Sequence, residues 1–228
     1  MAHKTLFAWM LTALGFAIAS PAHAVFIGNT QGGTDFPQGA ISFADTLISL
    51  TYTASIPSVP HLGGFNALGL PNYAGVNSCA SQAACTFASL GSGGSIVLRF
   101  DDNFLTGSDS NALDIWVFEV GPNVEDTFVD ISKDGVTWFS VGKVFGSTAG
   151  IDIDAFGFAS VDLFSFVRLT DDPNEGGGGS GGTVGADIDS VGAISTIPKT
   201  VTVVSEPASL ALLGLGLAGL GALRRRRT

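Results

Sequence analysis

The apolar positions of this chain fall into three regimes. Leu6 to Ala19 is a nearly unbroken apolar run behind the single charge of Lys4, and Ala208 to Leu223 is an uncharged run that stops at Arg224, Arg225, Arg226 and Arg227. Between them, short runs rich in Val, Ile, Thr and Phe are separated by Gly/Asp/Asn/Ser clusters, and no 3.6-residue apolar period is sustained. Ser95 to Phe100 alternates, with Ile96, Leu98 and Phe100 on one face. Leu113 to Val120 is apolar on both faces, with Ile115 and Val117 opposite Trp116 and Phe118, which predicts a strand covered on both sides and places both tryptophan-bearing strands in the core. Phe128 to Ser132 and Thr137 to Val141 flank Lys133-Asp134-Gly135, a hairpin signal. Ser165 to Thr170 and Asp187 to Ile194 read as further strands, Ile41 to Thr53 as a strand or two, and Ser55 to Ser89 as loop-rich. Short strands and frequent turns predict an all-β fold, an antiparallel sandwich.

The flanking runs are addresses rather than fold. A basic start, a short apolar run and the Ala22-His23-Ala24 site predict a signal peptide over residues 1–24, cleaved so that Val25 begins the mature chain. The sixteen residues from Ala208 to Leu223 are just under the ~17–25 that span a bilayer. Gly214, Gly216, Gly219 and Gly221 suit a membrane helix better than a soluble one. The four terminal arginines stay in the cytoplasm by the positive-inside rule, which puts the preceding body outside the inner membrane. Residues 25–204 remain, one domain by length.

Ser205-Glu206-Pro207, the apolar run and the arginine stop, in that order at the chain end, resemble the PEP-CTERM tail. The usual motif is Pro-Glu-Pro, and Ser205 stands where the first proline would be. The resemblance covers roughly a tenth of the chain. It implies an exosortase-type membrane protease as a partner, an inner-membrane anchor, and then release to the cell surface or extracellular matrix. A second resemblance covers residues 91–195. Phe128 to Trp138, with its Asp-Gly and terminal Trp, is similar to a hairpin of discoidin-type, galactose-binding-like jelly rolls. Leu113 to Gly121, Phe166 to Asp171 and Asp187 to Ile194 are similar to neighbouring strands of that fold. That likeness implies a non-catalytic module for glycans or other surfaces, often with a structural calcium ion.

Charge narrows the chemistry. The body holds five basic and 19 acidic residues, a net charge of −14, which repels phosphate backbones and excludes nucleic acid as a partner. Carboxylates gather at the predicted strand ends, and calcium wants six to eight oxygens. Asp187 and Asp189, two apart on one strand and so expected on one face, join Asp101, Asp114 and Glu119 as candidate ligands. Glu119 faces the same way as Ile115 and Val117, and a buried carboxylate there needs a metal, Arg99 or Arg168 as partner. The plainer reading makes these carboxylates turn formers and solvated strand ends. Cys79 and Cys85 read as a disulfide of an exported protein. A metal or Cys-His site is disfavoured, since the body's one histidine, His61, is distant in sequence. Tyr73 is the loop aromatic best placed for a sugar. The Gly91-Ser92-Gly93-Gly94 turn lacks the Lys-Ser/Thr of a phosphate loop. No Gly-x-Ser-x-Gly or His-Glu-x-x-His is present, so the chain reads as no enzyme. Binding of exopolysaccharide or another glycan leads, a structural biofilm protein without a ligand comes second, and an acidic-site polysaccharide hydrolase trails.

Overall fold

A computed structural model of the chain describes residues 23–29, 32–75, 79–120, 125–145, 148–174 and 182–199. Ala22, the sorting tripeptide Ser205 to Pro207, the C-terminal apolar run, Arg224 to Arg227 and most of the Gly176–Gly182 stretch lie outside those residues. Among the described residues there is no α-helix, and no helix is long and apolar enough to cross a membrane.

A five-stranded antiparallel sheet is built from β3 (Thr46–Thr51), β5 (Ser95–Arg99), β11 (Phe166–Asp171), β8 (Thr127–Ser132) and β9 (Phe139–Val144), in that spatial order. The period-two alternation of β5 decides its register. Ile96 lies opposite Leu169, which lies opposite Val129, and Leu98 lies opposite Val167, which lies opposite Ile131. These six side chains form two buried rows on one face. Each is worth roughly 1.5–3 kcal/mol of transfer from water.

The second sheet runs β10 (Thr148–Ile151), β7 (Ile115–Glu119), β12 (Asp187–Ala193) and β4 (Ala88–Ser89), also antiparallel. Its Ile115, Val117, Ile188 and Val191 join the two rows of the first sheet in one buried cluster, so the sheets share a core. The other face of β7 is apolar for a different reason. Phe118 packs on Phe36 and Phe43, with Trp116 alongside, and this second cluster is roofed by a hairpin of β1 (Val25–Asn29) and β2 (Gly32–Phe36). A short pair, β6 (Asn103–Leu105) with β13 (Thr196–Pro198), completes the strands.

The predicted Asp-Gly hairpin is present as β8–β9, but the connection is Lys133–Trp138 and β9 begins at Phe139, two residues later than the sequence pattern places it. The Asp134 carboxylate accepts the amides of Val136 and Thr137, each at 2.8 Å, and Gly135 takes φ +76°, so the loop is closed by a side chain rather than by a two-residue turn. Trp138, expected in the core, instead lies half-buried on the outer face of the five-stranded sheet, over Arg168. The loop-rich 55–89 stretch contains short 3-10 turns tied by Asn66, whose amide donates to the carbonyls of Gln82 and Phe87.

Candidate functional site

The structure distributes the predicted ligands over four places. Asp101 is exposed and pairs with Arg99 while accepting the Thr46 hydroxyl. Asp114 is fully buried just before β7, beside Asp152 and Asp154. Asp187 and Asp189 do not act together. A β-bulge between Ile188 and Ser190 inserts Asp189 as an extra residue and breaks the alternation on which a shared face depends. Asp189 turns to the 69–73 loop, where it accepts the amides of Asn72 (3.1 Å) and Tyr73 (3.2 Å). Burial pushes its pKa up to about 6 against the pull of those amides.

Asp187 and Glu119 do meet, in a buried acidic pocket with Glu125 and Asp171. The Asp187 amide points at Glu119 Oε1, and the Asp187 carboxylate accepts the Ser89 hydroxyl. Neither arginine serves Glu119 as the sequence suggested, because Arg99 is held by Asp101 and Arg168 by Asp130. Glu119 Oε2 is buried, and the Glu119 and Glu125 carboxyl groups share a hydrogen bond. Burial first, then the negative charges of Glu125 and Asp187, push the Glu119 pKa up to about 10. Burial also lifts Glu125 to about 7, with Asp171 adding, and Asp187 to about 7. Asp171 is raised by burial too, although the amides of Gly93 and Ala186 oppose the shift. That Gly93 contact, at 2.8 Å, explains the Gly91–Gly94 turn: it is a carboxylate-capped entry to β5. The pocket therefore stores protons at neutral pH. Next to it Lys143 bridges Asp126 and Asp172, at 2.9 Å from each.

Sequence reasoning noted Asp171 only among the carboxylates at strand ends and passed over Glu125, Asp152 and Asp154 as ligands. Only the Ile151-Asp152-Ile153-Asp154 alternation after a strand could have flagged the last two.

Tyr73 is half-buried, with its ring edge-on to Phe87 at 5.9 Å and packed against the buried cluster of Cys85, Phe87 and Val120. Cys79 and Cys85 are joined as a disulfide. His61, remote in sequence, is in fact brought to it. Its ring stacks on Phe87 at 5.5 Å, and a ring nitrogen and both sulfurs lie within 4.8 Å of one another. With both sulfurs in the disulfide, the group offers no thiolate ligand.

The outer face of the five-stranded sheet joins aromatic and hydrogen-bonding groups at the surface. Arg168 grips Asp130 through Nε (3.0 Å) and Nη2 (2.9 Å), and the Trp138 ring lies 4.5 Å from the guanidinium. One row along, the Lys143 ammonium sits 5.3 Å from the exposed Phe128 ring and 5.1 Å from the exposed Phe145 ring.

No curated protein matches the chain. Among solved structures, CpGH89CBM32-6 produced by Clostridium perfringens is 11% identical with a TM-score of 0.31, covering 47% of this chain and 72% of that one. The C-terminal domain of a chitobiase from Bacteroides fragilis is 12% identical with a TM-score of 0.31, covering 66% and 95%. Both likenesses are too distant to carry an argument. The family comparison is specific: residues 203–227 match the PEP-CTERM protein-sorting motif, so this chain carries the tail of an exported, exosortase-sorted protein.

Proposed function

We propose that this protein is a non-catalytic binding module of the cell surface or extracellular matrix, delivered by its C-terminal tail and bound there to polysaccharide. The observation that carries the reading is the sorting motif at residues 203–227, attached to an all-β body of net charge −14. In this reading residues 1–24 are removed at Ala24, Ala208 to Leu223 holds the chain in the inner membrane with Arg224 to Arg227 inside, and exosortase processing at the Ser205-Glu206-Pro207 segment follows. The body is a jelly-roll-like sandwich that takes a structural calcium ion through its carboxylates.

The surface around Trp138, Arg168 and Asp130, with Phe128 beside it, supports a glycan ligand. A half-exposed ring beside a fixed fork of donors offers a stacking surface and directional hydrogen bonds together. The test is retention of the purified protein on a panel of polysaccharides, wild type against W138A and F128A. Binding that falls about tenfold in W138A, equivalent to roughly 1.4 kcal/mol, is the expected result. No retention on any polysaccharide, with the protein still localised to the matrix, would instead establish a structural matrix protein.

A further inference from the structure

We propose that Asp114, Asp152 and Asp154 form a divalent-cation site of the calcium class. The proposal gives the structural calcium of the preceding reading a location, and it stands apart from the glycan surface. Strand pairing assembles the site. Ile151 of β10 lies opposite Ile115 of β7, and the Asp114 amide donates to the Ile151 carbonyl at 2.9 Å, so the residues flanking the two strand ends meet. One carboxylate oxygen from each of the three aspartates lies within 4.8 Å of the other two.

The carboxylates are held in place by the backbone. Asp114 Oδ2 accepts the Ile153 amide at 2.8 Å, and Asp152 accepts the Ala155 amide at 3.3 Å. Asp154 accepts the amides of Ser108 (2.7 Å) and Asp109 (3.1 Å). Asp109 itself takes a left-handed backbone, φ +56°, and its carboxylate accepts the Ser160 amide at 3.0 Å. The loop after β6 is thereby wrapped around Asp154.

The independent sign of a ligand is Asp114 Oδ1. It belongs to a fully buried side chain and has no donor within hydrogen-bond distance; the hydroxyls of Ser195 and Ser108 act on the carboxylate but do not remove its desolvation penalty. Among the described residues no cationic side chain relieves it, and Lys199 donates to the Phe100 carbonyl. The ion pairs of the described residues commit Arg99 to Asp101, Lys133 to Asp162, Lys143 to Asp126 and Asp172, and Arg168 to Asp130. Three hard oxygen donors from irregular backbone suit calcium, which accepts six to eight oxygens in flexible geometry, better than magnesium, which demands a near-octahedral shell. Bound there, the cation ties the 106–113 loop to the end of β10.

The test uses the full-length protein in mild detergent: calorimetric titration with calcium, and thermal unfolding with calcium, magnesium or EDTA. D152N and D154N alter the half-buried ligands, and E119Q alters the other acidic pocket. The far-ultraviolet circular dichroism of each variant in EDTA is compared with wild type to show that it folds. Calcium is expected to raise the wild-type and E119Q midpoints by roughly 5 °C or more at saturation, with little effect of magnesium. D152N and D154N, folded in EDTA, are expected to bind calcium at least about tenfold more weakly, a loss of roughly 1.4 kcal/mol. Absence of calcium binding in the wild type overturns the proposal, as does undiminished binding in both aspartate variants or loss of binding in E119Q. Calcium binding without polysaccharide retention would defeat the glycan reading alone.

Discussion

The backbone amide of Asp187 lies 3.3 Å from Oε1 of Glu119, so two acidic residues are joined inside the protein where their carboxylates would repel. The pocket tolerates this by holding protons. In the unfolded chain these groups ionise near ~4–4.5, whereas in the folded protein Glu125 and Asp187 hold theirs to about 7 and Glu119 to about 10. The folded state then binds more protons across the intervening range, so the contribution of these groups is full at acid pH and is lost as pH rises. Without divalent cations, the thermal midpoint should be higher at about pH 5 than at about pH 8, each group contributing up to about 1.4 kcal/mol per pH unit while it is protonated only in the fold. Melting curves across that range check this, and a midpoint that rises with pH would contradict it.

Glutamine at position 119 keeps the shape of a protonated glutamate and cannot ionise. E119Q should therefore match the wild type at about pH 5 and exceed it by up to about 4 kcal/mol at about pH 8, because over those roughly three pH units the wild-type glutamate is ionised only in the unfolded chain, at about 1.4 kcal/mol per unit. Urea unfolding at the two pH values reads the difference. Greater destabilisation at alkaline than at acid pH would mean that the Glu119 carboxylate is compensated by a charge.

Asp130 takes two hydrogen bonds from Arg168, and Trp138 covers the guanidinium. Lysine retains the charge but has neither the planar fork nor the face for stacking. R168K should lose about 1 kcal/mol of stability, less than a fully buried pair would, because the pair is partly solvated. Denaturant titration checks the loss, and a double-mutant cycle with D130N assigns it to the pair.

The Asp134 carboxylate satisfies two loop amides at once, and these contacts hold its pKa down to about 2. D134A should lower the urea midpoint by more than D134N, whose side-chain oxygen can still accept. Equal effects would show that the amides are satisfied by water.

Much of this fold could be read from the chain, and the reason is local. Ile96 and Leu98 alternate on a strand with one buried face, and β7 is apolar on both faces because a second cluster covers the outer one. The covering hairpin was not legible: Gly32, Gly33, Thr34 and Asp35 of β2 carry no apolar alternation, and only Phe36 anchors it. Asp189 defeated the two-residue periodicity because a bulge cannot be seen in a list of side chains. The Asp114 cluster was hidden for another reason. Asp114 is nearly forty residues from Asp152 and Asp154 and meets them only through the register of β10 on β7.

The hairpin roof makes its own demand on β12. A Cβ at Gly192 would overlap the Phe36 ring and lie 2.9 Å from the Phe43 ring. Phe36 and Phe43 are both fully buried, with centroids 4.6 Å apart, so neither ring has free space into which to move. On the opposing strand Trp116 is the register partner of Gly192, which closes the remaining side. G192A should therefore overpack this second cluster and cost about 1–3 kcal/mol, while leaving the main core between the sheets intact. The location of the damage separates this account from a general loss of strand stability. Hydrogen exchange should accelerate in residues 25–36 well before it does in β5 or β11, whose protection depends on the other cluster. Uniform acceleration across both sheets would show that the hairpin and the sandwich unfold as one unit.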